Sequence, residues 1–375
     1  MKQNPAIEAV RRLLYLIPKQ PNYVQFEITN ECNLTCKMCP REVLGVQFIN
    51  MNFEMFKKLI DKLHGVNMVS LTGWGEPLVH PNLIEMIKYC KSKGLITKFT
   101  TNGVLFTPAL LEGVLNSGLD EITFSIDTIK IDPKNEWGHL NKVALKYIDQ
   151  IITKRNNGLP KVILQVMLQK GRAQDIFDVI EWGVQHKADR VNIGRLNLSF
   201  DPNLERPTWE EERFILDTAE EMGNKLGMQI DCIQGGIDKG ITRSVYKATK
   251  KYLHKGGKHC LKTYDYCYVN VHGKVTPCCL LPNFVIDDLN TKSLEEIWNG
   301  EKFSHFRENE SKICGSCDVM RVEMLDQERI FKTKEEMELQ KQKIIAEERD
   351  AEVMQKKKQV QEIVEEGSLL QIRVK

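Results

Sequence analysis

From about residue 23 to about residue 232, short runs rich in β-branched residues alternate with stretches whose apolar positions recur at intervals of three and four. The runs Tyr23–Thr29, Met68–Thr72, Ile96–Thr100, Glu121–Ile126, Lys161–Leu168 and Arg190–Gly194 read as strands, with a seventh candidate at Met228–Cys232. Between them, Phe53, Phe56, Leu59, Ile60 and Leu63, then Leu83, Ile84 and Ile87, then Ile176 through Val184, mark amphipathic helices that pack on a sheet. Strands that alternate with helices predict an α/β fold with a parallel sheet. Six units are too few to close an eight-stranded barrel, so the pattern predicts a partial, open (β/α)6 TIM-like barrel, with a doubly wound open sheet as the alternative. Ligands bind at the carboxyl ends of the strands in either.

The texture changes after residue 255. Gly256-Gly257 opens a cysteine-rich stretch with a hairpin-like Tyr268–Val275 around His272-Gly273 and little helix until Leu294–Asn299. From about Val322 to Glu366, Lys, Glu and Gln dominate, apolar positions such as Met337, Ile344, Val353, Val360 and Ile363 are sparse, and Gly367 offers a stop. The expected organisation is an N-terminal extension (1–22), a core domain (23–255), a small cysteine-rich α+β domain (256–321) and a charged helical tail (322–375). The tail reads as a solvated helix; a lid or a dimerising helix is the alternative.

With 53 Lys and Arg against 51 Asp and Glu, the bulk charge offers no footprint for nucleic acid or an anionic membrane. No apolar run reaches the roughly 18 residues of a membrane helix, and the patch Leu13–Ile17 is too short, with basic flanks, for a signal peptide. The chain therefore reads as cytoplasmic. In a reducing compartment its eleven cysteines, where grouped, are metal ligands or catalytic groups before they are disulfides.

Three of them, Cys32, Cys36 and Cys39, fall within eight residues on the loop after the first strand. Three thiolates cannot close a tetrahedral zinc site without a fourth ligand, but they hold three irons of a cubane and leave the fourth iron open. At these residues the sequence resembles the radical S-adenosylmethionine (radical SAM) superfamily, whose signature is this three-and-two spacing. The resemblance implies a 4Fe-4S cluster whose open iron chelates S-adenosylmethionine. An electron from the cluster, supplied by a reductant such as flavodoxin or ferredoxin, then splits the sulfonium into a 5'-deoxyadenosyl radical that takes a hydrogen atom from substrate. It also places Met38 near the adenine; simple loop packing is the other reading.

The second strand leads into Thr72-Gly73-Trp74-Gly75-Glu76-Pro77, which looks like the family's glycine-glycine-glutamate motif. The resemblance makes Gly73, Gly75, Glu76 and Pro77 cofactor-binding residues, the glycines letting the backbone approach the ligand and Glu76 pairing with its ammonium. Thr101 and Asn102 after the third strand, and Ser125 and Asp127 after the fourth, stand where the family keeps contacts to ribose and carboxylate. The chain departs from the family with Thr128 where many relatives have glycine, and Gly138-His139-Leu140-Asn141 in place of an arginine. Arg195, ending the sixth strand, is a candidate catalytic residue that binds a substrate hydroxyl or receives its proton, or else a salt-bridged structural arginine.

Cys260, Cys278, Cys314 and Cys317 suit a fully ligated site, and their spacing around Gly273 resembles the twitch or SPASM domain that carries an auxiliary 4Fe-4S cluster. Cys267 and Cys279 lie close enough to compete as ligands, and a four-cysteine zinc is the alternative. A fully ligated auxiliary cluster is expected to accept the electron left on a substrate radical. The resemblance thus implies a two-electron oxidoreductase acting on a hydroxyl-bearing small molecule such as a sugar or cyclitol, as in 2-deoxy-scyllo-inosamine dehydrogenase. A peptide or protein maturase is the second reading; the short stretch before the first strand, without room for a recognition module, favours the first. A non-catalytic zinc scaffold is the third.

Overall fold

The computed structural model describes residues 17–39, 41, 48–131, 136–196, 205–232 and 260–314. Cys317, the first 16 residues and the whole 322–375 tail lie outside them. Seven parallel strands run in chain order: β1 (Tyr23–Phe26), β2 (Met68–Ser70), β3 (Ile96–Thr101), β4 (Glu121–Ser125), β5 (Lys161–Leu168), β6 (Arg190–Arg195) and β7 (Gln229–Cys232). Each lies beside its predecessor, linked by α1 (Phe53–Ile60), α2 (Leu83–Ser92), α3 (Pro108–Leu115), α4 (Glu136–Lys154), α5 (Ala173–Gln185) and α6 (Trp209–Leu226). A doubly wound sheet reverses its strand order at a switch point. Here the order never reverses, so the helices share one face and the architecture is the partial barrel.

Alternation along the strands separates the two faces. Val24 and Phe26 of β1, fully buried, join one core with Phe56, Leu59 and Ile60 of α1, and the Phe26 and Phe56 rings meet edge-on at 5.6 Å. In α2 the buried face is Leu83, Met86, Ile87 and Cys90, as the helical period requires. Tyr23, Gln25 and Glu27 project to the other, inner face.

The cysteine-rich segment does not stand apart from this sheet. Strand β8 (Tyr266–Val269) pairs in parallel with β1, Tyr23 opposite Tyr266 and Phe26 opposite Val269, and β9 (Lys274–Thr276) and β10 (Asp287–Asp288) follow antiparallel, completing ten strands among the described residues. The β8–β9 turn needs the left-handed conformation, which Gly273 supplies at φ 76°. After α7 (Leu294–Trp298) comes α8 (Glu301–Ile313), which hydrophobic periodicity does not reveal. Its buried face is Phe303, Phe306, Arg307 and Glu310, so two of four core positions are charged. Arg307 is held by the carbonyls of Thr263 and Trp298 and stacks on the rings of Trp298 and Phe303 at 4.2 and 4.1 Å.

Candidate active site

The loop after β1 carries Cys32, Cys36 and Cys39, all half-buried. The turn Cys36–Cys39 is closed by the Cys39 amide on the Cys36 carbonyl at 2.9 Å, with Met38 half-buried inside it. The Leu34 amide points at the Cys32 sulfur at 3.4 Å, and buried Arg41, which sequence reading passed over, holds the Leu34 carbonyl. Burial, Cys39 and Cys32, in that order, push the Cys36 thiol up to about 12, with the Asp127 charge adding to them. Burial raises Cys32 as well, and Glu76 is the acid that adds to it. The loop is thus flanked by two carboxyl groups from the strand ends. Among the described residues no three Cys, His, Asp or Glu side chains surround a single point closely enough to hold one ion.

Glu76 is the best-organised of these groups. It is 3% exposed, and its carboxylate accepts from the Thr101 hydroxyl at 2.6 Å, the Asn102 amide at 2.7 Å and the Leu78 amide at 3.0 Å. The Leu78 bond caps a 3-10 turn that starts at Pro77. Burial outweighs these donors and lifts the carboxyl to about 7. Asn102 also reaches Asn33 at 3.0 Å, tying the third strand end to the cysteine loop. Thr101 is 2% exposed, its hydroxyl donating to Glu76 and accepting from the Gly103 amide, so it orients Glu76.

The two glycines are required by the protein's own packing. A Cβ on Gly75 would lie 2.4 Å from the Glu31 carbonyl oxygen and 2.6 Å from that of Thr29; one on Gly73 would lie 2.3 Å from Cγ of Glu27. What approaches these glycines is the protein's own β1 and the loop after it. Glu27, nearly buried on the inner face, receives the Trp74 amide at 3.3 Å, and burial raises its carboxyl.

Ser125 is exposed at the end of β4. The Asp127 carboxylate accepts the Met167 amide at 3.0 Å, and burial raises it against the opposing charge of Arg172. Arg172, after β5, donates through Nε to Asp175 at 2.9 Å, which also takes the hydroxyl of Thr128; the Asn141 side chain donates to the Thr128 carbonyl. Arg195 is bound through both nitrogens of its fork to Glu212 of α6, the pair 11% and 6% exposed. That is the salt-bridged arrangement.

In the second cysteine region, Glu310 of α8, 1% exposed, receives the Cys260 amide and the Thr263 hydroxyl, both at 2.8 Å, while its carbonyl receives the Cys314 amide at 2.7 Å. One residue thereby joins Cys260 to Cys314. Cys278 follows β9, its sulfur receiving the Leu280 amide at 3.4 Å. Cys267 points the opposite way, fully buried among core side chains where burial pushes its thiol up to about 12. Cys279 lies toward the inner face: its charge, with that of Cys278, bears on Tyr266 and Tyr268, both raised far by burial. The Trp74 indole donates to the Cys279 carbonyl at 2.9 Å, linking the glycine motif after β2 to the second cysteine loop. No local sequence signal marks Trp74 or Glu310, because each acts on a residue more than 45 positions away.

Residues 26–182 match the profile of the radical SAM superfamily, and residues 260–318 that of SPASM, an iron-sulfur cluster-binding domain. The AdoMet-dependent heme synthase of Methanosarcina barkeri is 26% identical over 323 residues, 80% of this chain and 90% of that protein. The PqqA peptide cyclase of Xanthomonas euvesicatoria is 22% identical over 316 residues, 80% and 81% of the two chains. In fold, the chain is similar to Streptococcus suis SuiB, solved bound to its precursor peptide SuiA, with a TM-score of 0.62 at 15% identity over 86% of this chain and 76% of SuiB. SuiB has also been solved with S-adenosylmethionine bound. Both matches agree with the cysteine spacing: the chain carries a radical SAM superfamily domain and a SPASM iron-sulfur cluster-binding domain, and its cofactors are S-adenosylmethionine, the 4Fe-4S cluster that binds it and an auxiliary 4Fe-4S cluster.

Proposed function

We propose that this chain is a radical SAM oxidoreductase that removes two electrons from a polar, hydroxyl-bearing small molecule. The donor set fits the first cofactor pair. Burial raises the Cys32 and Cys36 thiols, with Cys39 adding to both and Glu76 and Asp127 nearby, so thiolates here need compensating positive charge, which iron and the sulfonium and ammonium of S-adenosylmethionine would supply. Sulfurs bound to three different irons also stand further apart than sulfurs sharing one ion. Cys260, Cys278, Cys314 and Cys317 are the assigned ligands of the auxiliary cluster, the last lying outside the described residues. When bound, these groups would supply hydrogen-atom abstraction from substrate and an acceptor for the electron it leaves behind.

The chain's own residues do the rest. Glu76 receives the cofactor's ammonium on the lone pairs its three donors leave, and Asn102 holds the cysteine loop against it. Ser125 and Asp127 close the carboxylate and ribose side, and Met38 the adenine side. Gly73, Gly75 and Pro77 fix the motif's path over β1. Arg195 positions α6 on β6 through Glu212.

The observation that supports the oxidative reading is the Trp74–Cys279 hydrogen bond, which sets the second cysteine loop against the cofactor motif, so that a substrate bound there would have both redox groups within reach. Polarity of the substrate is supported by the inner face, where Gln25, Thr100, Gln165 and Asn192 line the strands and the Asn192 Oδ1 is buried without a donor. A peptide substrate is the second reading, favoured by the PqqA peptide cyclase among the relatives. The test is anaerobic incubation of the reconstituted enzyme, under strong reductant, with deuterated cyclitols and sugars and, in parallel, deuterated peptides. Deuterium in 5'-deoxyadenosine with a carbonyl product from the first set is the expected result; transfer only from peptides replaces it with the second reading.

A further inference from the structure

The Cys279 carbonyl held by Trp74 and the Leu280 amide that points at the Cys278 sulfur belong to one peptide group. That group is planar and trans, so its C=O and N–H point in opposite directions and turn together. Fixing the carbonyl at one end fixes the aim of the N–H at the other. The indole N–H at 2.9 Å also polarises the peptide, strengthening its N–H as a donor to sulfur. Hydrogen bonds to cluster sulfurs are among the factors that set a cluster's reduction potential, because they stabilise the extra negative charge of the reduced state.

We infer that Trp74 is a positioning residue for the auxiliary cluster: its indole N–H, through the Cys279–Leu280 peptide, sets the potential of the cluster that Cys278 ligates. The inference rests on the reading of Cys278 as a ligand. Three observations make Trp74 a stable strut for this task. Its amide is bonded to buried Glu27. Gly73 before it is locked against the Glu27 side chain, and Gly75 after it against the backbone of Thr29 and Glu31. Two residues on, the Glu76 amide bonds the Glu31 carbonyl at 2.8 Å. The same short motif therefore offers a carboxylate to S-adenosylmethionine and an indole to the second cluster, and a shift of either end is transmitted to the other.

The experiment uses the full chain with Cys32, Cys36 and Cys39 replaced by Ala, so that only the auxiliary cluster is assembled, with iron and sulfide counted and the cluster titrated by redox-poised electron paramagnetic resonance. Into this parent are placed Trp74→Phe, which keeps a ring and loses the donor, and the isosteric benzothienylalanine at position 74, which replaces only the N–H. Both are expected to shift the midpoint to more negative potential and alter the g values at unchanged iron content; the isostere guards against a packing defect in the Phe variant. A midpoint that stays at the parent value in the isosteric protein overturns the inference and leaves the ligand reading standing. A parent that holds no iron overturns both.

Discussion

Replacing Gly75 by alanine separates two accounts of the glycine motif. If glycine is there for the ligand, the added methyl leaves the protein without S-adenosylmethionine untouched and weakens only binding. The structure says otherwise: the new Cβ would sit 2.4 Å from the Glu31 carbonyl oxygen, 2.6 Å from that of Thr29 and 2.8 Å from Cα of Asn30. All three are backbone atoms, which cannot swing aside, so the motif and the loop must part by about 1 Å to reach ordinary contact. Overpacking of this kind costs about 1–3 kcal/mol. The neighbouring Glu76 amide bond to the Glu31 carbonyl is lost with it, about 1 kcal/mol more. A total of about 2–4 kcal/mol lowers the melting temperature by roughly 5–10 °C in a domain this large. The assay is anaerobic calorimetry of the cluster-loaded protein in the absence of S-adenosylmethionine. Gly113→Ala is the control: the atoms nearest its methyl are side-chain atoms of Ile84 at 3.0 Å and beyond, not backbone, in a helix that gains from alanine, so its melting temperature stays within about 2 °C. A Gly75→Ala protein that melts with the wild type and loses only affinity refutes the packing account.

Because burial lifts the Glu76 carboxyl from 4.5 to about 7, protonation at falling pH removes the charge offered to the cofactor's ammonium. Affinity for S-adenosylmethionine is expected to be level above pH 8 and to fall up to about tenfold per unit below pH 7, with the slope abolished in Glu76→Gln; equal slopes by titration calorimetry would remove Glu76 from that role. Cys278→Ala is expected to lose about four irons, whereas Cys267→Ala keeps its iron and loses only about 1 kcal/mol of packing, as iron analysis and thermal melts of the two will show. Arg195→Ala leaves Glu212 buried and uncompensated, at about 3–5 kcal/mol. The pair Arg195→Met with Glu212→Leu should recover the stability, and recovery of turnover with it would confine Arg195 to a structural role.

The strands illustrate how much local pattern reveals. Lys161–Leu168 forms as read, and the other predicted strands hold their centres with ends moved by one to three residues. Strand ends are set by where the neighbour stops bonding, which is not a local property. Helix α8 is not legible because Arg307 and Glu310 occupy core positions, and their acceptance there depends in part on partners more than 40 residues away, Thr263 and Cys260. The glycine motif is legible by its letters, but the crowding of Gly75 is not, since the atoms that crowd it come from a different strand's loop.

What the sequence alone determined is the chemistry: three thiols at fixed spacing after a first strand, and a second cysteine set in a segment of different texture, specify iron-sulfur clusters because ligand number and spacing are local properties. What tertiary structure alone decided is how these parts face each other. The monotonic strand order, the pairing of β8 with β1, the burial of Cys267 away from Cys278, and the indole of Trp74 on the Cys279 carbonyl all depend on residues distant in the chain. Side-chain direction, burial and hydrogen-bond partners exist only once the sheet has assembled, so no reading of neighbours in sequence contains them.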